Sequence, residues 1–313
     1  MPRRKRMSKR PPRAEAVAAD NGAFRCGHVA IVGRPNVGKS TLINALVGAR
    51  ISITSRKAQT TRHRVLGILT RPDAQFIFVD TPGFQTEHRS PLNERLNRAV
   101  RSSLSGVDVV VVVIEAGRLG PADRAVLALI PEGMPVVAAV NKVDKLADRA
   151  AVLPFLAALA AVREFAAMVP ISAEKSWQLD TLLAAIAKLL PIGAAEHPED
   201  ELTDRDERFL AAEYIREKIF RLLGAEVPYS TTVGIDSFEH KAGLRRIHAT
   251  IYVDKTSQRA MLLGEHGERM KNIASSARRD MEQLFDGKVF LEVWVKVKSG
   301  WADDERMLTQ FGY

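Results

Sequence analysis

Residues Gly33-Arg34-Pro35-Asn36-Val37-Gly38-Lys39-Ser40 meet the spacing G-x-x-x-x-G-K-[ST]. Glycines let the backbone wrap close to phosphate oxygens, and successive N–H groups point inward at a helix start. The phosphate-binding set is therefore Gly33, Asn36, Val37, Gly38, Lys39, Ser40 and Thr41. Lys39 is expected to reach the β- and γ-phosphates, and Ser40 to offer its hydroxyl to Mg²⁺.

Three later segments fit the same chemistry. In Asp80-Thr81-Pro82-Gly83, Asp80 holds Mg²⁺ through its shell and the Gly83 N–H meets the γ-phosphate. In Asn141-Lys142-Val143-Asp144, a carboxylate accepts two hydrogen bonds from N1 and N2 of guanine. Adenine supplies neither, and an unmatched buried polar group is costly. At Ser172-Ala173 a backbone N–H can meet guanine O6. Each tetrapeptide alone also reads as a strand-end turn. All four, in order and each at a strand end, imply a switch that binds and hydrolyses GTP to GDP.

The elements that must position these loops follow from the hydrophobic pattern. Strands are expected at His28–Val32, Arg64–Leu69, Ala74–Asp80, Val109–Glu115, Pro135–Asn141 and Met168–Ser172. Helical patterns lie near Lys39–Val47, Pro91–Leu104, Ala122–Ile130, Ala150–Ala167 and Leu179–Leu190. This alternation implies an α/β domain over residues 26–191, with a mostly parallel sheet covered by helices on both faces.

A polar stretch then reads as a linker over residues 192–204. A second, smaller α+β domain fills 205–313. Its helix Arg205–Leu223 is expected to be capped by Asp204 or Thr203. Strands Thr231–Ser237 and Arg246–Asp254 follow, then a short helix Ser257–Leu263. Next come Gly264-Glu265-His266-Gly267, the helix Glu268–Leu284 and the strand Val289–Val297. GxxG alone is often only a turn. Between two helices and before a strand it is the core of a KH module, which clamps about four nucleotides. Arg259, Arg269, Lys271, Arg278 and Arg279 are nearby basic partners for phosphate, and Arg245 and Arg246 precede a strand that could border the groove. Period-2 alternation turns Trp294 away from the core side of its strand, where a packing role is favoured over base stacking.

The segments GRPNVGKSTLINALVG, ISITSRKAQTTRHRVLGI, VDTPG, AVNKVD, VPISAE and WVKVKSGWADDERMLTQFGY resemble the Era family of bacterial GTPases, in the family's order. The resemblance covers about residues 27–313. It implies a P-loop GTPase domain followed by a type II KH domain. The ligand it implies is 16S rRNA near its 3′ end, and the role is assistance in assembly of the 30S ribosomal subunit. It also makes Gln59-Thr60-Thr61-Arg62-His63 the first switch, with Thr61 preferred over Thr60 as a Mg²⁺ ligand. Asp80–Gly83 anchor the second switch. Glu265 stands in the KH loop where a basic residue is common, which is unfavourable for phosphate.

Phe84 occupies the position where Ras-type proteins place a water-orienting glutamine. In related GTPases with an apolar residue there, a K⁺ ion bound by the phosphate-loop asparagine, here Asn36, can supply the charge. Unassisted turnover is expected to be slow, on the order of 10⁻³ s⁻¹ or less.

Composition bounds the rest. The chain of 313 residues has net charge +9. Eight basic side chains against two acidic ones lie in residues 1–25, which are expected to form a disordered tail. That tail reads equally as a solvated segment or as an arm for RNA or anionic lipid. The single Cys26 excludes an internal disulfide. No run suits a membrane span and no signal core is present. A cytoplasmic monomer that does not bind DNA is the expectation. The alternative is a signalling GTPase linked to cell-cycle control, peripheral on the cytoplasmic face of the inner membrane.

Overall fold

The computed structural model describes residues 23–55, 57, 60–84, 91–224, 227–301, 304 and 306. The tail expected at residues 1–25 lies almost wholly outside these, as does Gln59.

Six strands, β1 (Arg25–Val32), β2 (Val65–Thr70), β3 (Ala74–Asp80), β4 (Val109–Glu115), β5 (Val136–Asn141) and β6 (Ala167–Pro170), form one sheet. The order is β2-β3-β1-β4-β5-β6. Only the β2–β3 pair is antiparallel. Its two strands are joined by the tight turn at Arg71-Pro72-Asp73. The strands are almost continuously apolar because both faces are covered. On one face Val29 and Ile31 of β1 pack with Leu42 and Ile43 of α1 (Lys39–Val47) and with Leu182 and Ile186 of α5 (Leu179–Ala187). On the other, Ala30 and Val32 meet Val100 of α2 (Pro91–Ser103), Val126 of α3 (Pro121–Leu129) and Leu159 of α4 (Val152–Ala160).

The helix expected over Ala150–Ala167 is shorter, because the chain leaves α4 to reach its neighbour. The Arg163 guanidinium donates to the carbonyls of Leu127 and Ile130, at 3.2 and 3.0 Å, and to that of Pro131. These close the end of α3.

The second domain runs α6 (Glu207–Leu222), β7 (Thr231–Lys241), β8 (Leu244–Val253), α7 (Thr256–Leu263), α8 (Glu268–Leu284) and β9 (Lys288–Val297). Its sheet order is β7-β8-β9, with β8 and β9 parallel. Leu210, Ile215 and Ile219 of α6, Ile247 and Ile251 of β8, and Ile273 and Met281 of α8 form its core. The α6 cap is Asp206, whose carboxylate accepts from the Phe209 N–H at 2.8 Å. Asp204, expected at that position, instead accepts from the Leu66 N–H of β2.

That exchange reflects a larger difference. The segment expected as a linker is pinned along the first sheet. Cys26 N donates to Pro191 O, Gly193 N to Phe24 O and Ile68 N to Leu202 O. Gln75, fully buried in β3, organises the middle of the segment. Its Oε1 accepts from the N–H groups of Glu196 and His197, and its Nε2 donates to His197 O. The segment thereby covers part of the exposed β2 edge.

Replacing Gln75 by leucine orphans those three backbone groups. The Gln75→Leu protein is expected to lose roughly 2–4 kcal/mol of stability, and hydrogen exchange at 193–203 should accelerate selectively. Unchanged protection in that segment would contradict the assignment.

Candidate nucleotide site

The phosphate loop leaves β1 and enters α1 through Gly38 at φ 104°. A Cβ at Gly38 would stand 2.4 Å from Asn141 Nδ2, so glycine is required by space as well as by backbone. Lys39 is buried, and its ammonium donates to the carbonyls of Gly33 and Arg34, each at 3.1 Å. Burial pushes its pKa down to about 8, with Asp80 opposing that shift and Arg34 reinforcing it.

Beside it lies a cluster of oxygens. Ser40 Oγ is 2.7 Å from Thr61 Oγ1 and donates to Asp80 Oδ2 at 3.1 Å. Ser52 Oγ also donates to Asp80 Oδ2, at 2.6 Å. Asp80 is fully buried and its Oδ1 has no hydrogen-bond partner. Desolvation raises its pKa, against the hydroxyls and Lys39. A lone carboxylate oxygen next to two hydroxyls is a donor set that suits a hard cation with oxygen ligands. Thr60 stands apart, with Oγ1 2.7 Å from Ser55 Oγ and donating to Lys57 O. Thr81 donates to Ile31 O within the core. Pro82 is buried, and Gly83 packs against Pro35 of the phosphate loop. Phe84 is turned into the core beside Val100 and Leu104.

The guanine side is braced from β5. Asn141 spends its amide on the loops around it. Nδ2 donates to Val37 O at 2.8 Å, and Oδ1 accepts from the Ala173 N–H at 3.0 Å. It thereby joins the phosphate loop to the loop at Ala173. The Ser172 N–H is likewise used, by Trp177 O. Both N–H groups of Ser172-Ala173, one of which is expected to meet guanine O6, have protein partners here. Lys142 donates to Asn36 O at 2.7 Å and pairs with Glu115 at 3.1 Å. Burial raises the Glu115 carboxyl, yet Lys142 and Arg34 outweigh it and hold it below the usual range. Asp144 is exposed and lines a cavity of about 1010 Å³ together with Gly38, Thr41, Lys142 and Glu174. A smaller cavity, about 60 Å³, is bounded by Asn36, Lys39, Ser40, Thr61 and Gly83. Among the described residues no cluster of three His, Cys, Asp or Glu side chains is placed to hold a metal. The hydroxyl-rich set at Asp80 lies outside that pattern.

Sequence reasoning did not foresee what holds the first switch. Its residues are clamped by the second domain. Arg62 is buried and donates to Thr231 O at 3.0 Å and Tyr229 O at 2.9 Å. Arg216 of α6 donates to Thr60 O and pairs with Glu213 at 2.6 Å. Burial raises the Glu213 carboxyl, but Arg216 outweighs it and the net shift is downward. His63 meets the Phe209 ring edge-on at 5.3 Å. The available signal was the crowd of charges Glu213, Arg216, Glu217 and Lys218 on one helix, which reads as a solvated face and is in fact buried.

The second candidate site lies far along the chain. Gly264 has φ 71°, and a Cβ there would approach Arg269 Cβ to 2.7 Å. His266 is left-handed at φ 48°, and Gly267 starts α8. Glu265, His266, Arg269 and Lys271 are all exposed around this turn. Arg245 is instead committed to Glu207 at 2.7 Å. Trp294 is 58% exposed, so the packing role favoured for it does not hold.

A sheet edge of this kind, joined to an αββααβ unit, places the molecule among P-loop GTPases that carry a KH domain. Residues 28–142 match the family model described as "50S ribosome-binding GTPase", and residues 226–302 match "KH domain". GTPase Era of Nitrosomonas eutropha is 54% identical over 290 residues, covering 93% of this chain and 98% of that one. GTPase Era of Neisseria meningitidis serogroup B is 56% identical over 293 residues, covering 93% and 95%. Among solved structures, an Aquifex aeolicus Era variant bound to GDP·AlF4⁻ superposes with TM-score 0.89 at 38% identity. An Era complex with MgGDPNP and nucleotides 1506–1542 of 16S ribosomal RNA gives 0.89 at 39%. Both alignments cover 93% of this chain and 99% of the other. The chain belongs to the Era family of GTPases and is a GTP hydrolase.

Phosphate binding favours the protonated form of Lys39 and therefore raises its pKa above the free value near 8. Affinity for GDP is then full below pH 8 and falls as pH rises through it. In Mg²⁺-free buffer, calorimetric titration should show a loss of about tenfold between pH 7 and pH 9. A flat profile would contradict the assignment.

Proposed function

We propose that GTP turnover in this chain governs binding of 16S rRNA near its 3′ end, in assembly of the 30S subunit. Ser40, Thr61 and Asp80 would hold Mg²⁺, which neutralises charge developing on the phosphates. Asp144 would read guanine, and the loop Gly264–Gly267 with Arg269 and Lys271 would clamp the RNA backbone. The observation that carries this reading is a single continuous segment. Thr61 touches Ser40, while its neighbours Thr60 and Arg62 are gripped by α6 and the start of β7. Ordering of the switch by GTP therefore has a direct mechanical route to the RNA-binding domain. Linkage makes RNA bias the nucleotide state in return. The similarity to an Era bound to a 16S fragment supports the choice of ligand. Such a ligand places the work in the cytoplasm, and no helix among the described residues is long and apolar enough to cross a membrane.

The left-handed loop position tolerates aspartate, so His266→Asp adds a negative charge without disturbing the turn. It should weaken binding of a 3′-terminal 16S oligonucleotide by about tenfold or more, and leave GTP affinity alone. Equal RNA affinity would remove the loop from the interface.

With Phe84 in the core, that position cannot orient water. We assign K⁺ at the exposed Asn36 the task of supplying transition-state charge. kcat should be on the order of tenfold or more higher in KCl than in NaCl; equal rates would sink the assignment.

A further inference from the structure

The residues assigned above to the nucleotide all come from the first domain, yet one wall of the larger cavity does not. Phe220 and Arg221, in the last turn of α6, line it alongside Thr41, Thr54 and Asp144. Phe220 is buried. Arg221 keeps 46% of its side chain exposed.

Arg221 is aimed rather than loose. Its Nη2 donates to Thr54 Oγ1 at 3.0 Å and pairs with Glu217 at 2.7 Å, and its Nε donates to Thr54 O at 3.3 Å. Glu217 is fully buried and accepts from the Thr54 N–H at 3.2 Å. It also pairs with Arg50 of the first domain at 2.5 Å, and Arg50 pairs with Asp280 of α8 at 2.8 Å. The pose of Arg221 thus depends on the docking of α6 against the segment 50–54.

Its location within the site is informative. The small cavity around Lys39, Ser40, Thr61 and Gly83 is not bounded by α6. The large one, which runs from Thr41 to Asp144, is. Arg221 therefore lines the part of the site that runs from the phosphate loop toward the base, while its partner Thr54 borders both cavities. A guanidinium there presents a permanent charge and further N–H donors to an anion passing Thr54.

We propose that Arg221 is a nucleotide-retaining residue lent by the RNA-binding domain. It holds the phosphate–ribose stretch of GDP and GTP alike, and slows release for as long as α6 stays docked. This goes beyond the switch coupling proposed above, which concerns the γ-phosphate end. It rests on the GTPase site and not on the identity of the RNA, so it can fail while that reading stands.

The test uses the full chain without RNA. Release of radiolabelled GDP, and of a labelled non-hydrolysable GTP analogue, is followed after excess unlabelled nucleotide is added. Arg221→Ala should speed both releases by the same factor, about tenfold, and Arg221→Lys should keep most of the retention. Thr54→Val removes the hydroxyl partner and leaves the charge in the cavity. It should change release by less than about threefold. Three results would overturn the proposal. One is unchanged release in Arg221→Ala. Another is an effect confined to the GTP analogue. The third is Thr54→Val matching Arg221→Ala, which would make the arginine a brace for the loop alone.

Discussion

A lysine ammonium buried under a backbone loop is the constraint on which the rest of this molecule depends. Taking that charge out of water costs several kcal/mol. Two carbonyls and the neighbouring Asp80 offset part of this cost, and the residual strain is visible in the lowered pKa. Phosphate completes the balance. The arrangement is available only because β1, β3 and β5 run parallel and end at one edge, each delivering a different part of the site. Asn141 then ties the phosphate loop to the loop at Ala173, so that the base and phosphate ends keep a fixed spacing.

The same edge is where the second domain attaches. α6 looks like a poor amphipathic helix because it has two buried faces. Leu210, Ile215 and Ile219 serve its own domain, while Glu213, Arg216 and Glu217 serve the first. Buried charges are tolerable when paired and hydrogen-bonded. Here the partners include the Thr60 carbonyl of the switch. The electrostatics that satisfy α6 are thereby the electrostatics that shape the switch. A segment whose Thr60 carbonyl and Arg62 guanidinium are held by one domain and whose Thr61 hydroxyl is held by the other transmits movement in either direction.

The segment between the domains adds a second attachment. Residues 191–204 lie against β1, β2 and β3, with Gln75 satisfying three of their backbone groups. A polar, proline-containing stretch and a tethered strap have the same composition. The difference is whether an unpaired sheet edge and a buried amide are near enough to receive it.

Much was readable from the sequence by itself. The helix Lys39–Val47, the strands Ala74–Asp80 and Val109–Glu115, and the helix Glu268–Leu284 have the bounds their patterns imply. Local physics explains this. Apolar periodicity, glycine at left-handed turns and the spacing of phosphate and guanine motifs are all short-range signals. Tertiary structure decided the rest. It chose Asp206 over Asp204 as a cap, because Asp204 had a distant N–H to satisfy. It shortened α4 by drawing Arg163 to other carbonyls, and left Trp294 exposed. Above all it buried the charges of α6 and brought Arg221 to the nucleotide cavity. The burial of the α6 charges and the placing of Arg221 depend on groups that meet across 150 or more residues, and the Asp204 and Arg163 contacts on groups 138 and 32–36 residues apart, distances over which neither propensity nor spacing carries information.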